Sequence, residues 1–165
     1  MPGPTSAIPD AIDNLITALK ARAGLTGVQI REGWESSELE PEAIAIGGDT
    51  EDNDDASVDG EQTPAQLGAQ RREEKFDIHC EVSVWSGDTD AASVKTIRRR
   101  AFTLLGEVEQ QLRGPAGDPT LAGAVRYAQV AGAHGLRQGP AYTDTGEVLG
   151  LLVRIPFTVR AAVRI

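Results

Sequence analysis

The chain has 165 residues, 40% of them hydrophobic, and a formal net charge of −9. This length suits one domain with a real core, and no apolar run approaches the ~20 residues that a membrane span needs. The single cysteine, Cys80, excludes an internal disulfide and every multi-cysteine metal motif. The N-terminal residues lack the basic and apolar regions of a secretory signal, so we expect a cytoplasmic protein without a membrane partner.

The charge is divided unequally along the chain. Residues 1–92 carry 20 acids and 6 bases, a net charge of −14, whereas residues 93–165 carry 5 acids and 10 bases, a net charge of +5. This division argues against general nucleic-acid binding, which needs a concentrated basic surface. It is compatible with subunits that meet head to tail, although solvated charge is the simpler explanation.

The first 48 residues predict one helix and two strands. Residues 9–22 have an apolar stripe at spacings of three and four, which predicts an amphipathic helix. Residues 28–34 and 42–48 are short apolar runs on either side of a polar connection with Pro41, and they predict strands.

The next segment, residues 49–70, is predicted to be a flexible acidic loop inserted between strands of the single domain 1–165. Self-repulsion and few apolar residues favour a mobile segment. A partial calcium-loop pattern over Asp55, Ser57, Asp59 and Gly60 places Gln66 where a bidentate glutamate is needed, so we expect no metal site. Its seven carboxylates within thirteen residues are Asp49, Glu51, Asp52, Asp54, Asp55, Asp59 and Glu61.

Residues 74–85 alternate strictly and predict a strand with one apolar face. Phe76 to Val84 are apolar at even positions, while Asp77 to Ser83 are polar at odd positions. His79 and Cys80 therefore point to opposite faces and cannot form a catalytic dyad. A turn follows, in which Thr89 or Asp90 would cap a second helix that ends near Leu112.

The last third predicts more sheet. Residues 124–135 predict a strand, and residues 141–148 contain a turn. In residues 149–165 every odd position is apolar, whereas Arg154, Arg160 and Arg164 share the other face. At ~3.3 Å per residue this segment would exceed 50 Å, so we predict an edge position, a bulge or a bend at Pro156. The fold class is α+β, a mainly antiparallel sheet packed on one face by two helices.

No pattern in the sequence points to catalysis. There is no nucleophile elbow, no phosphate loop and no dinucleotide fingerprint, so we expect a protein that is not an enzyme and has no cofactor. Arg98, Arg99 and Arg100 are consecutive, and a helix would spread them around its axis instead of joining them into a phosphate clamp. A solvent-facing or partner-facing surface is the simpler interpretation.

The order of these parts resembles the tail terminator, or tail-completion, proteins of long-tailed bacteriophages. The resemblance lies in the N-terminal helix, in the strand that ends in "VSVWSGDTD" and leads into the second helix, and in the closing strand "GLLVRIPFTVRAAVRI". It covers nearly the whole chain except the acidic segment, and it is one of layout, without a diagnostic motif.

The resemblance implies a virion structural protein of the tail or neck, assembled in the host cytoplasm. Such a protein forms a ring, usually a hexamer, that binds the end of the tail tube, stops its polymerisation and joins the head–tail connector, or stopper, protein. DNA passes through its bore. Two hypotheses follow for this sequence: Arg98, Arg99, Arg154, Arg160 and Arg164 contact a neighbouring subunit or ring, and the seven carboxylates of the acidic segment face the bore or its rim.

Two alternatives stay open on the sequence. One is another ring of the phage neck, such as a head-completion or stopper protein. The other is a non-phage α+β binding module or small enzyme.

Overall fold

The computed structural model describes residues 5–33, 40–48, 57–65, 71–131 and 135–165 of the chain. These residues form an α+β fold with two α-helices, one short 3-10 turn and a seven-stranded sheet. In chain order the elements are α1 (Ile8–Ala21), the 3-10 turn (Ala23–Leu25), β1 (Gln29–Glu32), β2 (Glu42–Ile46), β3 (Val58–Pro64), β4 (Arg72–Ser86), α2 (Ala91–Arg113), β5 (Tyr127–Ala131), β6 (Arg137–Tyr142) and β7 (Val148–Arg164).

The sheet is built around the long antiparallel pair of β4 and β7. The strand order is β1-β2-β4-β7-β5, and two further strands extend it: β3 pairs with β4, and β6 pairs with β7. On the β4 side, β3 pairs with the first half of the strand and β2 with the second half. On the β7 side, β6 pairs with the first half and β5 with the second half.

The core lies between the two helices and one face of this sheet, which we call the helix face. Residues from α1 and α2 belong to the same buried cluster as the even-numbered residues of β4 and the odd-numbered residues of β7. The predicted stripe of α2 is buried from Ile97 to Leu112, with Val94 only half-buried. Burial of these side chains at roughly 25 cal/mol per Å² is the main term that stabilises the fold.

Local signals define where α2 begins and ends. The Asp90 side chain accepts a hydrogen bond from the Ser93 amide at 2.8 Å, which caps the helix, and Gly114 follows its last residue. This hydrogen bond lowers the pKa of Asp90. Of the two predicted caps, Thr89 and Asp90, the structure uses Asp90.

The sheet is mixed, whereas the sequence predicted a mainly antiparallel one. β1 pairs with β2 in parallel, with Ile30 beside Ile44, and the other ladders are antiparallel. The alternation of apolar residues specifies which face a side chain occupies, but it carries no information on the direction of the neighbouring strand.

Part of the predicted acidic loop is a strand. β3 (Val58–Pro64) pairs antiparallel with Ile78–Arg72, so that Asp59 lies opposite Asp77 and Glu61 opposite Lys75. All but the first residue of β3 are exposed, and only Val58 packs against the core. The sequence of β3 therefore lacks the apolar alternation from which a strand is predicted. The backbone ladder to β4 holds the strand in place.

Of the edge position, bulge or bend predicted at Pro156, the structure shows the edge position, because no described strand pairs with β7 at Pro156 on the side away from β4. β7 is one strand of 17 residues, and its register with β4 is continuous from Glu73↔Arg164 to Ser86↔Leu151. Proline has no amide hydrogen to donate to a neighbouring strand. On the edge of β7 away from β4, β6 pairs up to Arg154 and β5 pairs from Thr158, so Pro156 lies in the gap between these two ladders and is tolerated. The irregularity in β7 occurs instead near its start, between Ala141 and Tyr142 of the β6 ladder.

Neither of the two described helices is long and apolar enough to cross a membrane.

Candidate interaction surfaces

The face of the sheet opposite the helices is charged, and we call it the charged face. It presents the odd-numbered residues of β4 beside the even-numbered residues of β7, as their register requires. Asp77, His79 and Glu81 lie there opposite Arg160, Thr158 and Pro156. Cys80, the neighbour of His79, is fully buried on the helix face, which confirms that the two side chains cannot meet.

Arg160 and Asp77 form the best-aligned ion pair of the charged face. Both distances, from Nε to Oδ1 and from the second guanidinium nitrogen to Oδ2, are 2.8 Å. The hydrogen bonds from Arg160 lower the pKa of Asp77, and the carboxylate in turn raises the pKa of Arg160. This two-point geometry fixes both side chains, although exposed pairs contribute little to stability.

Glu81 is the least exposed charged residue of this face. Only 3% of it is accessible, and its Oε1 lies 3.8 Å from the Nε of Arg154. Arg154 lies on β7 opposite Ser83, diagonally across the ladder from Glu81. A nearly buried carboxylate depends on nearby positive charge, because its desolvation is costly.

His79 links the charged face to the acidic strand β3. Its Nε2 lies 2.9 Å from Oδ2 of Asp59, and its Nδ1 lies 3.5 Å from Oγ1 of Thr158. Asp59, Asp77 and Arg160, with Glu61, Lys75 and Tyr127, border an open groove of about 600 Å³. The groove contains both signs of charge, so it has no clear preference for an anion or a cation.

The structure divides the five arginines of the predicted interface. Arg154, Arg160 and Arg164 share the charged face, in agreement with the parity of the sequence, and Arg164 lies exposed opposite Glu73. Arg98 and Arg99 lie on α2, on the other side of the sheet. The Arg98 guanidinium donates to the side-chain oxygen of Gln138 on β6 at 3.3 Å. One continuous surface of all five is therefore not formed within a single subunit.

The seven carboxylates of the acidic segment are only partly described. Asp49, Glu51, Asp52, Asp54 and Asp55 lie outside the described residues, as does Gln66 of the calcium-like pattern. Asp59 and Glu61 lie on β3 and are exposed. Within the described ranges, no group of three histidine, cysteine, aspartate or glutamate side chains is arranged to hold a metal ion.

A buried carboxylate at the start of α1 was not anticipated from the sequence. Glu74 is 2% exposed, and its Oε2 accepts a hydrogen bond from the Ala7 amide at 2.7 Å, while Oε1 accepts one from Gln62 at 2.8 Å. Burial alone would raise the pKa of Glu74, but these hydrogen bonds outweigh it, so the pKa is lowered. The carboxylate also faces the positive end of the α1 dipole, and it joins α1, β3 and β4.

Exposed apolar side chains occur on both sides of the sheet. Among the described residues, the large hydrophobic side chains that are most exposed lie on α2, on β5, just before β6 or at the β6–β7 hairpin: Phe102 (48%), Tyr127 (40%), Leu136 (42%), Tyr142 (59%), Val148 (56%) and Leu149 (43%). Tyr142 and Val148 are directly paired across the hairpin. The sequence pattern did not reveal them, because strand parity alone does not show which positions lack a covering layer.

Comparisons with known proteins identify no family for this chain. No protein-family model matches the sequence, and no curated protein matches it significantly.

Proposed function

We propose that this chain is a tail terminator of a long-tailed bacteriophage, a virion structural protein that forms a ring at the end of the tail tube. The ring, of about six subunits in the proteins that the chain resembles, would end tube polymerisation and join the head–tail connector. In this proposal the protein acts through its surfaces, without catalysis or a cofactor.

One observation carries the proposal: the layout on which the resemblance rests is a single structural unit. The strand ending in "VSVWSG" is β4, which runs through Ser86 directly into the turn before α2, and the closing segment is β7, which pairs with β4 along fourteen positions. The N-terminal helix α1 packs into the same core. The three parts that carry the resemblance therefore adjoin one another in space.

Tube capping tests the proposal most directly. Tail-tube protein is polymerised alone and with increasing amounts of this protein, and tube lengths are measured by negative-stain electron microscopy. We expect shorter tubes with a ring at one end, and native mass spectrometry of the free protein should show one closed oligomer. Tubes of unchanged length and without a terminal ring would contradict the proposal. Binding only to the portal-side connector would identify a stopper protein instead.

The acidic residues have a proposed role at the bore. Carboxylates near the DNA path repel phosphates and keep the duplex from adhering during ejection. Asp59 and Glu61 are the two described members of this set, and both are exposed. Replacing both with asparagine and glutamine should raise the affinity of the assembled ring for duplex DNA at low salt. An unchanged affinity would place β3 away from the DNA path.

A further inference from the structure

We propose that the free edge of β1 and the adjoining stripe of α1 bind the same surface of a second copy of this chain, related by a two-fold axis. The β1 strands of the two copies would pair antiparallel, and the two α1 helices would lie antiparallel beside them. This contact joins subunits in pairs, so it is separate from the contacts that close a ring, and it does not depend on the proposed function.

The main chain of β1 is unpaired on one side. β1 is the first strand in the sheet order, and among the described strands it pairs with β2 alone. The Gly33 amide donates to the Ile46 carbonyl at 2.7 Å, which continues this ladder by one residue. Since main-chain groups alternate in direction along a strand, Arg31 also faces β2, whereas Ile30 and Glu32 direct their N–H and C=O groups outward. Such an edge is a template for a further strand.

An open groove follows this edge. It has a volume of about 540 Å³ and is lined by Asp13, Ile16, Thr17 and Lys20 of α1 and by residues 29–32, which form β1. The four helix residues are three or four positions apart, so they share one stripe of α1. An extended backbone matches the alternating outward groups of β1, and the groove therefore favours a strand as its occupant.

The charges of the α1 stripe favour a second copy as the source of that strand. Asp13 and Lys20 lie about 10 Å apart along the helix, with Ile16 and Thr17 between them. Within the described part of the subunit, neither charge takes part in an ion pair. A two-fold axis beside Ile16 and Thr17 brings each Asp13 to Lys20 of the other copy, which forms an ion pair on either side of the axis.

The remaining charges near the groove do not oppose this contact in sum. The charged residues that line the groove are two acids and two bases: Asp13, Glu32, Lys20 and Arg31. Asp10 is exposed one turn before Asp13 and extends the acidic end of the stripe. Arg22, beyond Lys20, already binds Glu107 of its own subunit at 2.6 Å. The stripe therefore has one acidic end and one basic end, as an antiparallel pair of identical helices requires.

The same axis also fits the strands. The lining of the groove is centred near Ile16 and Thr17 in α1 and near Ile30 and Arg31 in β1. With Arg31 at the axis, Ile30 of each copy lies opposite Glu32 of the other, and each such pair exchanges both of its outward main-chain hydrogen bonds. The two Arg31 side chains then lie opposite each other on the charged face, which weakens the dimer without preventing it.

Charge reversals on the α1 stripe test the contact. Asp13→Lys alone places only lysines at the two cross-pairs, and Lys20→Glu alone places only carboxylates there, so each should raise the dimer Kd about tenfold or more. The double variant, Asp13→Lys with Lys20→Glu, restores opposite charges and should dimerise like the wild type. The matched control, Asp144→Lys, makes the same change as Asp13→Lys in the exposed β6–β7 turn and should leave the Kd unchanged. Circular dichroism and thermal melts establish that each variant is folded.

A mixture of the two single variants gives the sharpest result. Both cross-pairs of a mixed dimer are opposite in charge, so an equimolar mixture should form mixed dimers in preference to dimers of either variant. Analytical ultracentrifugation over a dilution series measures each Kd, and native mass spectrometry identifies the mixed dimer by its mass. A wild type that stays monomeric, single variants that dimerise like the wild type, or a mixture without this preference would each overturn the proposal.

Hydrogen–deuterium exchange tests the strand pairing itself. The amides of Ile30 and Glu32 should exchange more slowly as the wild-type protein is concentrated, because each donates to the other copy in the dimer. The single variants should not show this change at the same concentrations. A dimer in which both amides exchange as fast as in the monomer would overturn the pairing through β1.

Tube capping separates this contact from the proposed function. Where subunits also close into rings, the β1 contact joins two rings, and each single variant should halve the mass of the assembly. Single variants that lose the paired form and still cap tail tubes would support both proposals. Pairing that follows the charge pattern in a protein that never caps tubes would keep this contact and remove the terminator function.

Discussion

The two faces of the β4–β7 pair are made by alternate residues of the same strands, yet different interactions hold them. On the helix face, Ile78, Val82 and Ile155 are fully buried among side chains of the helices. On the charged face, Asp77 and Glu81 face Arg160 and Arg154 across the ladder. Apolar burial dominates the first face, whereas the second relies on ion pairs whose net contribution is small.

The difference suggests a division of roles. A buried apolar face stabilises the fold but cannot bind a partner. Residues on the charged face and at the exposed edges can be substituted with little loss of stability. We therefore expect mutations on the helix face to affect the free energy of unfolding, and mutations on the charged face to affect it only where a charge is buried.

The largest effect is expected on the helix face of β7. Ile155→Ala should lower the free energy of unfolding by about 2–5 kcal/mol, because it leaves a cavity at a fully buried site. Leu152→Ala, three residues earlier on the charged face and half-buried, is the matched control and should cost clearly less. Urea denaturation measures both, and equal losses would contradict the contrast between the faces.

The next-largest effect is expected at Glu81, which is nearly buried on the charged face. Arg154→Met removes positive charge beside Glu81 and should cost about 1–3 kcal/mol, because the carboxylate stays in a poorly hydrated site. Replacing Glu81 with glutamine in the same chain should recover much of the loss. A double-mutant cycle of the two positions measures the coupling, and strictly additive losses would mean that the two groups do not interact.

Glu74 should show its contribution in the pH dependence of stability. Glu74→Gln keeps the shape but removes the charge that accepts from the Ala7 amide, and should cost about 1–2 kcal/mol at neutral pH. Since the pKa of Glu74 is lowered in the folded protein, its stabilisation is present above the unfolded value of about 4.3 and is lost as the pH falls below it. The wild type and the variant should therefore converge in acid, as followed by urea unfolding at several pH values. A difference that does not change with pH would contradict this role.

The smallest effect is expected for the exposed pair of Asp77 and Arg160. Asp77→Asn should change the free energy of unfolding no more than ordinary surface substitutions do, despite the two short hydrogen bonds. High salt should reduce even this difference. Thermal melts at low and high salt measure it, and a loss as large as that of Arg154→Met would show that the pair is less hydrated than its exposure indicates.

Much of the fold could be predicted from local patterns. The alternation in residues 74–85 and the spacing of apolar residues in α2 gave the right elements within a few residues, and Asp90 is one of the two predicted caps. Strand β3 could not be predicted, because it is polar and is held by its backbone ladder to β4. The candidate surfaces were predicted less well. The alternation of residues along β7 correctly placed Arg154, Arg160 and Arg164 on one face, but it could not show that Arg98 and Arg99 lie on the other side of the sheet.

The sequence by itself determined the identity of the elements and which face of each strand is apolar, since the periods of helix and strand are properties of the local backbone. Only the tertiary structure decided how those elements adjoin. It placed Pro156 between two ladders, so that β7 runs unbroken, and it brought Glu74 to the start of α1. It also paired Tyr142 with Val148 at exposed positions of the β6–β7 hairpin. These outcomes depend on contacts between residues far apart in the chain, which no local pattern encodes.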